Sequence, residues 1–139
     1  NSDTLQEIGV PSRAYMRNLV AQTAREMGVD PRLALAHAQT ESHFNHASVS
    51  PANAIGGMQV IPSSGKWASE MVGRDLNLLD PKDNVVAGVA IIRHLQRSAS
   101  NVDEGIAGYY QGLWGVQQHG MYSDTRDYVN KVRANMANF

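Results

Sequence analysis

A glutamate near the end of an alanine-rich segment is the first residue whose position suggests chemistry. The segment reads LALAHAQTES, and Glu41 is its penultimate residue. If the segment is a helix, the partial negative charge at its C-terminus and the loss of water on burial both disfavour a carboxylate there. Each effect raises the pKa of a glutamate from its usual value of about 4.3. A glutamic acid that stays protonated near neutral pH suits general acid catalysis, which glycoside cleavage requires.

Several short motifs accompany this glutamate along the chain. They read ESHF, ASVSPANAIGGMQ with VIP, DPKDNVVAGVAIIRHL, AGYYQG and DTRDYVNKV. In this order and spacing they resemble the family-1 lytic transglycosylases, the soluble lytic transglycosylase (SLT) domains, over about residues 29–135. The AGYYQG form resembles an actinobacterial branch. The resemblance implies a lysozyme-like fold with a glycan-binding cleft, and cleavage of the β-1,4 bond between N-acetylmuramic acid and N-acetylglucosamine with formation of a 1,6-anhydro end.

The resemblance also implies site residues. Glu41 matches the catalytic acid/base, and Tyr109 matches the tyrosine that faces it. The full set expected to contact substrate is Ser50, Gly56, Met58, Gln59, Ile61, Tyr109 and Tyr128. The chain departs from the family pattern at Asn53, Gly57, Tyr110 and Asp124, where glycine, leucine, asparagine and glutamate are usual.

Elementary chemistry gives reasons for several of these positions. Gly56 permits positive φ and a close approach of backbone to a sugar, and Gln59 offers a donor and an acceptor to acetamido groups. Tyrosine faces suit sugar rings, and their hydroxyls can orient a carboxyl. Adjacent helical residues do not share a face, so we expect Tyr109 in the groove and Tyr110 in the core or at the rim. For Met58, core packing explains the residue equally well.

Alternative functions stay open at this stage. A goose-type-lysozyme-like muramidase would need a second carboxylate, and the segment from ESHF to VIPSS contains no second acid. A non-catalytic peptidoglycan-binding module would keep the groove without needing the acid. His37, Glu41, His43 and His46 invite a metal site, but the His-Glu-x-x-His pattern of zinc peptidases is missing. We therefore expect no metal and no cofactor.

Helix signals recur along the chain, whereas strand alternation is almost absent. Ser12 precedes a pattern carried by Tyr15, Leu19, Val20, Ala24 and Met27, which Gly28 ends. Asp-Pro pairs at residues 30–31 and 80–81 combine an N-cap with proline at the first helical position. Further helices are predicted from Pro62, over residues 101–112, and after a Ser123 or Asp124 cap. The sequence predicts an all-α domain of about six helices over residues 12–139, after a polar lead-in over residues 1–11.

Composition limits the classes of partner. The 139 residues carry 12 Lys and Arg against 13 Asp and Glu, without a basic stripe for nucleic acid. No apolar run approaches the roughly 20 residues of a membrane span. The chain has no cysteine, which excludes disulfides and thiolate chemistry within it. We expect a monomer that binds peptidoglycan glycan strands in the cell envelope, periplasm or extracellular space, or as the lytic domain of a wall-associated or phage protein.

Overall fold

Helices form nearly all of the regular structure in residues 11–139, the part of the chain that the computed structural model describes. They are α1 (Arg13–Met27), α2 (Pro31–Ser42), α3 (Pro62–Val72), α4 (Pro81–Ser98), α5 (Val102–Gln111), α6 (Leu113–His119) and α7 (Ser123–Met136). Extended pairing in these residues is limited to isolated antiparallel bridges that join Ile55 to Val49 and to Val60. The all-α prediction is confirmed, with α6 as one helix more than expected. The predicted lead-in lies outside the described residues apart from Pro11.

The predicted caps begin and end the early helices. Ser12 Oγ accepts a hydrogen bond from the Tyr15 N–H at 3.1 Å, and Gly28 ends α1 in the left-handed conformation with φ 75°. Asp30 caps α2, and Asp80 Oδ2 accepts from the Asp83 N–H at 2.9 Å at the start of α4. These side chains satisfy backbone donors that have no partner inside the helix, which is why the boundaries could be predicted.

The cap predicted for the last helix is wrong. Tyr122 occupies the N-cap position of α7 and makes no side-chain cap bond, and Ser123 is the first helical residue. Asp124 lies in the first turn, where its Oδ2 accepts from the Tyr110 hydroxyl at 3.1 Å. Oδ1 accepts from the neighbouring Thr125 N–H at 3.1 Å. The Asp124 carboxylate thus bonds a distant helix and its own first turn and does not occupy the N-cap position.

The buried face of α1 also differs from the prediction. Tyr15 is 56% exposed, whereas Met16 is 0% exposed. The buried residues of α1 recur at the three- and four-residue spacing of a helix face, and they are Met16, Val20, Thr23 and Ala24. One of them, Thr23, is polar. Thr23 is tolerated there because its hydroxyl accepts a hydrogen bond from Lys82 Nζ at 2.9 Å. A prediction based on apolar residues alone therefore does not identify this buried face.

Helix α4 lies at the centre of the core. It packs against α1, α3 and α5, and its buried residues include Val85, Val89 and Ile92. Helix α2 packs against α1 and α7, and α5 also packs against α7. This arrangement places the end of α2 beside residues of α5 and α7. None of the helices in residues 11–139 combines the length and apolar character needed to cross a membrane.

Candidate active site

The C-terminal end of α2 is buried and tied to the loop that follows it. Ala34, Ala36 and Ala38 are each 0% exposed, so neighbouring elements approach the helix backbone closely. The helix ends because His43 adopts a left-handed conformation with φ 54°. Ser42 Oγ then donates to the Gly57 carbonyl oxygen at 2.6 Å. The last turn of α2 is thereby fixed against the loop of residues 43–61.

Glu41 lies in this last turn and is largely withdrawn from water. Its Oε2 accepts a hydrogen bond from the Tyr128 hydroxyl of α7 at 3.0 Å. Burial raises the pKa of Glu41 from 4.5 to about 7, although the hydrogen bond from Tyr128 acts in the opposite direction. A carboxyl with this pKa holds a proton in a large fraction of molecules at neutral pH, as a general acid must.

His37 lies one turn before Glu41 on the same helix and is 1% exposed. Its Nδ1 is 2.8 Å from the Tyr128 hydroxyl oxygen. The His37 ring centroid is 4.7 Å from that of Tyr109 and 5.9 Å from that of Tyr128. Burial lowers the pKa of His37 from 6.5 to about 3, so the imidazole is neutral at physiological pH. On the sequence alone, His37 is considered only as a possible metal ligand, with no role in the site.

The histidines do not converge on a metal site. His46 Nδ1 accepts from the Gly57 N–H at 3.2 Å, so its Nε2–H donates to the Leu79 carbonyl oxygen at 2.7 Å. His43 contributes its backbone to the helix end. Within residues 11–139, no group of three or more His, Asp or Glu side chains is placed to share a metal ion.

Three tyrosines surround the carboxyl, each with a different hydroxyl partner. Tyr128 donates to Glu41. The Tyr109 hydroxyl donates to the Met58 carbonyl oxygen at 2.7 Å. Tyr110 is 49% exposed, and its ring stacks on that of Tyr128 with centroids 4.9 Å apart and planes at 25°. Tyr128 is therefore the tyrosine that orients the carboxyl, while Tyr109 joins α5 to the loop.

Asn84 of α4 anchors the same loop, and it was missed as a site residue. It is 0% exposed. Its Oδ1 accepts from the Met58 N–H at 3.0 Å, and its Nδ2 donates to the carbonyl oxygens of Ile55 at 2.8 Å and Leu78 at 3.0 Å. The DPKDN motif, of which Asn84 is the last residue, could have indicated it. In the structure this asparagine points from α4 into the core.

Gln59 is held in one orientation by the loop. Its backbone has φ 50°, a left-handed conformation that non-glycine residues seldom adopt. Its Nε2 donates to the carbonyl oxygens of Ser48 at 2.9 Å and Gly56 at 2.8 Å. The amide nitrogen of Gln59 is thus occupied by hydrogen bonds within the protein. Within the described part of the chain, Oε1 has no partner and remains an acceptor.

A cavity of about 320 Å³ opens beside the carboxyl. Among its described lining residues, Glu41 is the only acid. The lining residues are Glu41, Ala52, Ala54, Gln59, Val60, Ile61, Ser64, Ile91, Tyr109 and Tyr110. A second cavity of about 420 Å³ shares Ile61, Tyr109 and Tyr110 with it and extends towards Trp67. A larger cavity of about 600 Å³ under α3 contains none of the expected site residues.

The expected site residues divide into two groups. Gln59, Ile61 and Tyr109 line the cavity with Glu41, and Tyr128 supports the carboxyl from behind. The others lie in the loop and shape it: Ser50 Oγ accepts from the Ala54 N–H at 3.0 Å, Gly56 turns the chain with φ 75°, and Met58 is 0% exposed.

Gly56 and Gly88 show how tightly the loop is packed. A Cβ at Gly56 would lie 2.6 Å from Asn84 Nδ2, and one at Gly88 would lie 2.5 Å from Met58 Cβ. Side chains are essentially never found so close, so both glycines are required by packing. The close approach at Gly56 is to the protein's own Asn84.

Known proteins resemble this chain in sequence and fold. The family model "Transglycosylase SLT domain" matches residues 18–132. A membrane-bound lytic murein transglycosylase C from Mannheimia succiniciproducens is 40% identical over 91 residues, which cover 61% of this chain and 25% of that protein. The chain thus spans about a quarter of this relative's length.

Solved structures share the fold. An inactive variant of the lytic transglycosylase Slt from Pseudomonas aeruginosa superposes with a TM-score of 0.78 at 23% identity, covering 86% of this chain and 23% of that one. The 70 kDa soluble lytic transglycosylase from Escherichia coli gives a TM-score of 0.77 at 24% identity, with the same coverage. These likenesses confirm the predicted lysozyme-like helical fold. With the family match over residues 18–132, they show that the chain belongs to the transglycosylase SLT domain family.

Proposed function

We propose that this domain is a peptidoglycan lytic transglycosylase that cleaves the β-1,4 bond between N-acetylmuramic acid and N-acetylglucosamine. The observation that carries the proposal is Glu41, a partly buried carboxyl with a pKa raised to about 7 and the only acid among the described residues lining the cavity. Membership of the SLT family and the murein transglycosylase names of its relatives support it.

The proposed reaction uses Glu41 twice. The carboxylic acid first gives its proton to the glycosidic oxygen, which leaves with the electron pair of the bond to C1. The resulting carboxylate then removes the proton of the sugar's own C6 hydroxyl as that oxygen attacks C1. The 1,6-anhydro ring closes, Glu41 regains its proton, and no water is consumed. The raised pKa serves both steps, because an acid/base works best with a pKa near the working pH.

The residues around Glu41 are proposed to bind and place the strand. The free Oε1 of Gln59 suits the N–H of an acetamido group. Ile61 and the ring of Tyr109 offer apolar surface to sugar rings. Ser50, Gly56 and Met58 act indirectly in this proposal, through the loop that carries Gln59.

Product analysis separates this function from hydrolysis. Mass spectrometry of digested peptidoglycan should show muropeptides one water lighter than lysozyme products. A muramidase would instead leave reducing ends, and those products would overturn the proposal. The assay should give the same rate with a metal chelator present, because Glu41 supplies the proton without a cofactor.

The Glu41→Gln variant separates an enzyme from a binding module. It keeps shape and hydrogen-bonding capacity but has no transferable proton. General acid catalysis is typically worth about 10²–10⁴-fold, so turnover should fall by at least that factor while glycan strands still bind. Glu70, on the exposed face of α3, provides the matched control, since Glu70→Gln should retain parental turnover. If Glu41→Gln remains active, Glu41 is not the acid.

The cellular setting is proposed on the same basis. The relatives are named as membrane-bound murein transglycosylases, so we place this domain at the cell envelope, acting on wall glycan as a monomer. Equilibrium sedimentation with and without glycan fragments tests the monomeric state.

A further inference from the structure

A buried histidine stands behind the proposed acid and has no part in the reaction described above. His37 is 1% exposed, and its Nε2 is buried without a hydrogen-bond partner among the described residues. Buried polar atoms usually have partners, because an unpaired one costs free energy. An apolar side chain would fill this position without that cost. The remaining ring nitrogen, Nδ1, is therefore where a role for His37 should be sought.

The Tyr128 hydroxyl links His37 and Glu41 in a short chain of hydrogen bonds. The Tyr128 hydroxyl oxygen lies 2.8 Å from His37 Nδ1 and 3.0 Å from Glu41 Oε2. A phenol has one proton to donate, and while Glu41 is ionised that proton goes to Oε2, which can then only accept. His37 Nδ1 must then carry the ring proton and donate to Tyr128. This tautomer leaves a lone pair unpaired at Nε2, which costs less than an unpaired buried N–H.

We propose that His37 is a positioning residue: its Nδ1–H holds the Tyr128 hydroxyl as a donor to Glu41 Oε2, which leaves Oε1 to carry the transferable proton. The inference rests on the proposed role of Glu41 as the acid. In the reverse arrangement, Oε2–H donates to Tyr128 and Tyr128 donates to His37. The proton of the acid then points into the protein and cannot reach the glycosidic oxygen.

A neutral histidine suits this task better than a cation. Lysine or arginine would also donate to Tyr128, but the positive charge would stabilise the carboxylate and lower the pKa of Glu41. His37 donates without charge because its burial disfavours protonation. The other titratable groups around the pair are Tyr109 and Tyr110 of α5, Tyr128 of α7, and Asp124 of α7 behind Tyr110.

Two substitutions at residue 37 test the proposal. His37→Leu removes the donor, whereas His37→Asn keeps an amide N–H near the place of Nδ1. We expect His37→Leu to lower kcat about 3- to 10-fold, the effect of losing one ordinary hydrogen bond, with KM unchanged. The pH above which kcat/KM declines should move upward, because a weaker bond from Tyr128 favours the carboxylate less. His37→Asn should restore both values.

A double-mutant cycle shows whether His37 acts through Tyr128. In the Tyr128→Phe background, His37→Leu should change kcat by less than about 2-fold, because the hydroxyl that it positions is gone. An equal loss of kcat in both backgrounds would overturn the proposal. So would a His37→Leu variant whose kcat/KM declines at the same pH as that of the parent. Thermal midpoints of all variants identify any effect that comes from unfolding.

Nitrogen NMR of labelled protein tests the hydrogen-bond chain without substrate. The His37 ring should be neutral, with its proton on Nδ1, between about pH 5 and 8. A proton on Nε2 would overturn the proposal. If the protein cleaves no glycan but shows the Nδ1–H form, and the Glu41 carboxyl titrates at higher pH in His37→Leu than in His37→Asn, the proposed function fails and the positioning contact stands.

Discussion

Two ionisable residues one turn apart on α2 respond to the same environment in opposite directions. Burial raises the pKa of Glu41 to about 7 and lowers the pKa of His37 to about 3. Loss of water disfavours charge of either sign, so each group is driven towards its neutral form. The interior of the site thus carries little charge near pH 6, even though it contains an acid and a base.

The raised pKa of Glu41 has a cost in stability that increases with pH. A folded-state pKa above the unfolded value of 4.5 means that its contribution is fully present below pH 4.5 and is lost as pH rises through about 7. Glu41→Gln has no such titration. We expect the variant to exceed the parent in free energy of unfolding by up to about 3 kcal/mol at pH 8, measured by urea denaturation.

The same pair of proteins compared at pH 4 provides the control. There the parent Glu41 is protonated in both the folded and the unfolded state, so the variant and the parent should be close in stability. A variant that melts well below the parent at pH 8 would show that the carboxylate is not disfavoured at this helix end.

At the scale of the elements, Asn84 connects α4 to the loop that carries Gln59. Asn84→Ala leaves the buried Met58 N–H and the Leu78 carbonyl oxygen without their partner. The Ile55 carbonyl oxygen loses one donor but still accepts from the Val60 N–H at 3.0 Å. We expect the free energy of unfolding to fall by about 2–4 kcal/mol, measured by urea denaturation. We also expect weaker binding of glycan, because Gln59 is no longer held in one orientation.

Asn18 on α1 is the matched control, since it is an exposed helical asparagine. Asn18→Ala should change the free energy of unfolding by no more than about 0.5 kcal/mol. Equal effects of the two substitutions would mean that Asn84 does not anchor the loop.

The elements differ in how far local sequence determines them. Caps such as Asp30 and Asp80 act within a few residues, so the starts of α2 and α4 could be predicted. Helix α6 lacks such a signal: it begins directly after Gly112 and has no side-chain cap. Its formation depends on packing against α5, which a local pattern does not contain.

The site could be predicted in the same partial way. Glu41 stood out because an acid near a helix end is locally unusual. The partner of its carboxyl could not be derived locally, because Tyr128 is 87 residues away and looks like a core residue of α7. Tyr109 and Tyr128 have different roles because the Tyr109 hydroxyl reaches the Met58 carbonyl oxygen, whereas the Tyr128 hydroxyl reaches Glu41. Only the packing of α5 and α7 determines these partners.

For the whole molecule, the two buried groups predict a particular dependence of stability on pH. The lowered pKa of His37 gives stability that is present above 6.5 and is lost as pH falls towards 3. Glu41 contributes the opposite slope between 4.5 and about 7. The two slopes cancel between pH 4.5 and 6.5, so thermal midpoints should form a plateau there and decline on both sides.

Single substitutions show which group causes each of the two declines in thermal midpoint. His37→Leu should remove part of the decline on the acid side, and Glu41→Gln should remove part of the decline above the plateau. If neither substitution changes the shape of the curve, other groups determine the pH dependence of stability.

The bond between Glu41 and Tyr128 has a consequence for the chain during synthesis. Ribosomes make proteins from the N-terminus, so Glu41 leaves the ribosome 87 residues before the tyrosine that orients it. In the unfolded chain Glu41 is ionised at neutral pH, because the burial that raises its pKa exists only after the helices around it have packed. The protonated carboxyl that the proposed reaction requires therefore arises only once α7 has packed against α2.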